Sequence, residues 1–193
     1  MGAGATITAS DAETIEATQH WIARVVIGLN LCPFARAPFM HDRVKLCVSA
    51  ARDTDALLAD LRRELDALHA ADPQICETTL LIHPHVLRDF FDYNDFLDRA
   101  DGAIASLGLR SELQIASFHP NYQFADSAVD AIENHTNRSP YPTLHLLRES
   151  SIARAVATMD DTGDIYRHNM RTLRKLGISG LRAAAQGNPQ TES

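Results

Sequence analysis

Residues 78–83, TTLLIH, form a continuous apolar run of strand length, the pattern of a strand covered on both faces. A strand buried on both sides requires partners on each side of its sheet, and the chain supplies them. Immediately upstream, DTDALLADLRRELDALHAA sets Leu57, Leu58, Leu61, Leu65 and Leu68 on one helical face. Downstream, from about Asn94 to Leu107, Phe96, Leu97, Ala100 and Ile104 recur at helical spacing up to a stop at Gly108. Three further segments read as strands: VKLCVS (44–49), ELQIASF (112–118) and TLHLLR (143–148).

The flanks read as helix and loop. Ser10 and Glu13 make an S-x-x-E capping box, and Ile15, Ile22, Val25, Val26 and Leu29 continue at helical spacing to Leu29. Pro33 and Pro38 in NLCPFARAPF forbid continuation and predict extended or turning backbone. The loop HPNYQFADSAVDAIENHTNRSPYP holds a short helix near 126–133, and two helices follow over 149–159 and 162–176, the second ending at Gly177. The 193-residue length suits one globular domain, taken as 1–181, with 182–193 a disordered tail. The order β-α-β-α-β-loop-β predicts an α/β or α+β sandwich, a sheet of about four strands with helices packed on it. Right-handed crossovers would make the first three strands parallel and gather their carboxyl ends at one edge, where open α/β sheets bind ligands.

Charge and cysteine usage narrow the class. A net charge of −7 offers no broad attraction to nucleic acid or an anionic membrane. Arg171, Arg174 and Lys175 fall in the last turn of a predicted helix, where they complement its dipole. Three cysteines with no CxxC pair argue against a disulfide framework and a zinc knuckle, and fit a reducing cytoplasm. No signal peptide and no apolar run of about 18 residues is present, so neither secretion nor membrane insertion is expected. Met1-Gly2 to Thr6 and the two Asn-x-Ser/Thr triplets at Asn134 and Asn137 fit short modification patterns that arise by chance.

The chemistry-bearing residues cluster at the expected carboxyl edge. His83 and His85 leave one strand, His119 leaves the next, and the long loop brings His135 and Arg138 back beside the last strand. The competing role for each histidine is to terminate a strand by bonding a carbonyl. His119 is the candidate acid-base. Arg138 can clamp an anion at two points, Asn134 and Asn137 can orient a polar substrate, and Tyr122 and Tyr141 can stack on it or bond it. Arg138 could instead pin its own loop. Cys32 is a candidate nucleophile only with a long-range partner such as His119, because the end of the first helix is electrostatically the wrong place for a thiolate. A metal reading competes, in which His83, His85, His119 and His135 hold a divalent ion, although no H-E-x-x-H or comparable set is present. No Gly-rich nucleotide loop of either familiar type occurs.

GLNLCPFA, FHPNYQFAD and NRSPYPTLHLLRE together resemble the uncharacterised bacterial family domain-of-unknown-function 1415. The resemblance spans most of the chain, and it implies a bacterial cytoplasmic protein of one compact domain without implying an activity. The functional expectation is a small-molecule hydrolase or group transferase acting on an anionic substrate, with a metal-dependent enzyme and a non-catalytic binding or interaction module as alternatives. Oligomeric state is left open.

Overall fold

The computed structural model describes residues 9–157 and 163–186. The Gly2 pattern, the helix end expected at residue 159 and residues 187–193 of the expected tail lie outside them. The elements are α1 (Ala9–Trp21), a π-helical stretch (Ile22–Ile27), α2 (Arg36–Met40), β1 (Val44–Val48), α3 (Thr54–Ala70), β2 (Thr78–Ile82), α4 (Phe90–Ser106), β3 (Leu113–Phe118), a 3-10 turn (Ile132–Thr136), β4 (Thr143–Arg148), α5 (Glu149–Val156) and α6 (Gly163–Ala185). The fold is mixed α/β.

Side-chain alternation and strand register divide the four-stranded sheet, of order β1-β2-β4-β3, into two faces. On one, Leu81, Leu113, Leu144 and Leu146 meet Leu57, Leu61, Leu65 and Leu68 of α3 and Tyr93, Phe96, Ala100 and Ile104 of α4. Each such side chain contributes roughly 1.5–3 kcal/mol by leaving water, which makes this layer the main core. Asp53 caps α3 through the backbone N–H groups of Asp55 and Ala56, and Asp89 caps α4 in the same way through Phe91 and Asp92. That second cap starts α4 at Phe90, several residues before the apolar repeat reveals it. On the opposite face, Leu80 and Ile82 pack with Ile22 and Ile27, while α6 packs Met170, Leu173 and Leu181 on Val25 and Leu31.

Several expectations need correction. Only β1 and β2 form a parallel pair; β4 lies antiparallel between β2 and β3. The three-stranded parallel sheet is therefore not formed, because the long return over residues 119–142 brings β4 back antiparallel into the central position between β2 and β3. Two antiparallel steps nevertheless leave β3 pointing the same way as β2. The α-helical part of the first helix ends at Trp21, and wider i→i+5 hydrogen bonds such as Gly28 N–H to Ala23 C=O take over. Gly28 is needed for space here: a Cβ would sit 2.3 Å from the Arg24 carbonyl oxygen. Pro38 stands inside α2, in the first turn of a new helix, where its missing N–H costs nothing. The short helix near 126–133 is a 3-10 turn at Ile132–Thr136. Gly177 does break the last helix, at φ 60°, but the chain re-enters helix as far as Ala185.

Candidate functional site

The carboxyl edge of β2 and β3 does gather histidines, and it uses them to hold backbone. His83 is fully buried and donates from Nδ1 to the Val86 carbonyl at 3.1 Å. His119, also buried, donates from Nε2 to the Leu87 carbonyl at 3.2 Å and accepts the Asn121 N–H on Nδ1 at 3.0 Å. The two rings flank Tyr93, with centroids 5.7 and 5.1 Å away. Together they pin the turn after β2, including Leu87, whose φ of 55° is strained for a branched side chain. Burial lowers both pKa values, that of His83 to about 4, so both rings are neutral near pH 7. With both nitrogens engaged, His119 has no free position for acid-base work. His85 is exposed.

The loop HTNRSPYP is likewise occupied with itself. Arg138 donates from Nε to Tyr122 C=O at 3.2 Å and from Nη2 to Val129 C=O at 2.7 Å, and its Nη1 meets His135 Nε2 at 3.3 Å. Asn134, buried, accepts the Phe124 N–H and donates to the Ala128 and Val129 carbonyls. Asn137 donates to Ser117 C=O on the edge of β3. Tyr122 packs on Phe90 and Phe124, and Tyr141 on the apolar cluster beneath the π-helical stretch. Among the described residues, no three His, Cys, Asp or Glu side chains are placed to hold a metal ion, so the set His83, His85, His119 and His135 is not assembled as one.

A cavity of about 800 Å³ lies elsewhere, against the other face of the sheet, beneath α1, the π-helical stretch and α2. Of the residues expected at the site, Cys32 alone lines it. Its walls are mostly apolar, with Trp21, Ile22 and Val26 above and Leu80, Ala116, Phe118 and Leu147 below. The π turn, a feature common at functional sites, contributes Ile22 and Val26 to this wall, and the end of α1 contributes Trp21. At the end where β1 and β2 begin stand Arg43, Glu77 and Arg154. Glu77 forms ion pairs with both arginines, at 3.2 Å from Arg43 and 3.6 Å from Arg154. One carboxylate facing two guanidinium groups leaves a surplus of positive charge there. Arg43 also keeps a buried Nε–H with no acceptor.

Cys32 is better placed than its position after a helix implied. The chain starts a new turn at Pro33, so Cys32 stands at an amino end, with its carbonyl accepting from Ala35 N–H at 3.2 Å. Burial raises its thiol pKa, while the Phe34 and Ala35 N–H groups act in the opposite sense. Asn169 of α6 holds the segment by donating to Leu31 C=O at 2.9 Å.

His145, on β4, supplies the polar centre of the cavity floor. Thr78 has one hydroxyl hydrogen and donates it to Leu146 C=O at 2.6 Å. The 2.7 Å contact between Thr78 Oγ1 and His145 Nε2 must then be donated by the ring. This fixes the tautomer: Nε2 carries the proton and Nδ1 keeps a lone pair, which no described residue engages. Burial lowers the pKa of His145 to about 4. At neutral pH the ring is an uncharged acceptor on a cavity wall.

Residues 13–183 match the family described as protein of unknown function, DUF1415. The chain belongs to that family. No curated protein and no solved structure matches it. In this DUF1415 protein, no helix of the described residues is long and apolar enough to cross a membrane. The site residues that sequence reasoning missed, His145, Arg43 and Arg154, left faint signals. A histidine inside TLHLLR shares the parity of Thr143 and Leu147, so a strand reading alone places it on a covered face. Nothing local marks Arg43 and Arg154 as neighbours, because they are joined only through Glu77.

Proposed function

We propose that this protein is a small-molecule enzyme, a hydrolase or group transferase, whose working site is the cavity over the β4 face of the sheet. Its substrate carries an anionic group, with Cys32 as nucleophile and His145 as base. The observation that carries the reading is that the thiol and an imidazole with a free Nδ1 lone pair line one largely apolar cavity with surplus cationic charge at one end. In the first step Sγ bonds to an electrophilic acyl carbon while its proton passes to His145 Nδ1. That proton then goes to the departing group. Water, or a hydroxyl of a second substrate, attacks the thioester and gives its proton to Nδ1, and Sγ recovers a proton as it leaves. The Phe34 and Ala35 N–H groups stabilise sulfur only while it is charged, which favours the transition state over the resting thiol.

A second reading is a non-catalytic binding protein, favoured by the same protonation states: burial raises the thiol and lowers the imidazole, and both rest neutral. Intact-mass measurement with mono-p-nitrophenyl esters of medium-chain dicarboxylic acids, which keep one free carboxylate, separates the two. The enzyme reading expects one acyl group per chain on Cys32, a matching burst of p-nitrophenolate, and neither in Cys32→Ala. Acylation elsewhere, or none, refutes the nucleophile and leaves the binding reading.

A further inference from the structure

Two residues that line the cavity carry unmatched polar groups of opposite kind. Arg43 offers a buried N–H that lacks an acceptor, and His145 Nδ1 offers a lone pair that lacks a donor. The sheet itself measures how far apart they are. Val44, Thr78, Leu147 and Gln114 form one row across the strands, Leu46, Leu80, His145 and Ala116 the next on the same face, and Val48, Ile82, Thr143 and Phe118 the third. Successive rows are two residues apart, about 7 Å, so the three rows span about 14 Å. Arg43 immediately precedes the first row, His145 stands in the second, and Phe118 in the third packs edge-on to Trp21 at 5.4 Å.

A ligand lying along this face therefore meets cationic charge, then an acceptor, then an aromatic and aliphatic end. We propose that the cavity selects an amphipathic carboxylate of about twelve carbons that bears a hydroxyl or amine donor near its middle. The carboxylate lies at Arg43, the donor bonds His145 Nδ1, and the apolar end lies against Trp21 and Phe118. At roughly 1.3 Å of advance per bond in an extended chain, the donor sits about five to eight bonds from the carboxyl carbon. Glu77 sets the charge requirement: it already neutralises one of the two arginines, so the site takes one negative charge and rejects a neutral head group. This inference rests on the cavity being the working site, and is independent of any chemistry at Cys32.

Calorimetric titration of the full chain with dodecanoate, 6-hydroxydodecanoate and dodecan-1-ol, each below its micelle concentration, tests it. The wild type is expected to prefer dodecanoate to the alcohol by tenfold or more, and the hydroxy acid to dodecanoate by about fivefold. Arg43→Met should bring the acid and the alcohol within twofold, and His145→Phe should remove only the preference for the hydroxyl. The comparison among ligands on the wild type stands whether or not either variant folds. The proposal is overturned if no probe binds, if the alcohol binds as well as the acids, or if the hydroxyl makes no difference. Loss of these preferences while Cys32 still forms an acyl adduct overturns the ligand class alone. Intact preferences with no adduct overturn the enzyme reading and leave the ligand class standing.

Discussion

Acidification should destabilise this fold well above the pH at which carboxylates protonate, and His83 allows the effect to be isolated. Its pKa is lowered from 6.5 to about 4, chiefly because burial disfavours the cation. A histidine whose folded value lies below its unfolded value binds protons more readily when unfolded. Stability is then complete above about pH 6.5 and drains away as the pH falls toward 4. Between about pH 7.5 and 5, linkage gives a loss of about 2 kcal/mol for one such group. His145, lowered to the same value, adds up to a similar amount, and solvent entering the cavity reduces its share. Together these are a large fraction of a typical total of about 5–15 kcal/mol. The perturbation is His83→Phe, which keeps an aromatic ring beside Tyr93 and removes both the titration and the bond to Val86. Urea unfolding at the two pH values should show a variant weaker than wild type near neutrality by about 1 kcal/mol, the usual net worth of a hydrogen bond. On acidification it should lose about 2 kcal/mol less than the wild type. If both proteins lose the same amount, burial does not hold His83 in its neutral form and the lowered pKa is refuted.

Tyr93→Phe removes a fully buried hydroxyl that donates to Thr143 C=O and accepts the Phe118 N–H. It should lower unfolding free energy by about 2–3 kcal/mol in chemical denaturation, since a buried N–H is left unpaired; a loss under about 0.5 kcal/mol would mean that neither bond matters. Arg138→Ala should cost about 1–3 kcal/mol by releasing the loop carbonyls of Tyr122 and Val129, and should leave binding in the β4-face cavity unchanged. Unchanged stability together with impaired ligand binding would return Arg138 to the role of an anion clamp.

Much of the secondary structure could be read locally. The leucine stripe of α3, the apolar run of β2 and the alternation in β3 and β4 are periods of a few residues, and helices and strands are themselves local periods. The breaks at Gly108 and Gly177, both at positive φ, were equally legible because only glycine enters that region freely. The site was not legible in the same way. Cys32 stands out in the sequence, and the turning backbone that Pro33 predicts does form, but its amino-end setting depends on that turn leading into α2, with Pro38 inside it, which the prolines do not announce. His119 and Arg138 drew notice as reactive types in a loop, and the fold uses both to satisfy backbone carbonyls.

By itself, then, the sequence determined the four strands, the helices α3 and α4 and the sheet they cover, because those follow from side-chain period and from the φ limits of glycine. Tertiary structure alone decided that β4 runs antiparallel between β2 and β3. It alone decided that Thr78, by giving its one proton to Leu146, leaves His145 with a free lone pair, and that Glu77 draws Arg43 and Arg154 to one end of a cavity. Those contacts join residues up to 77 positions apart between Glu77 and Arg154. Pairings at that range depend on which face each strand turns to its neighbours, and no local period encodes it.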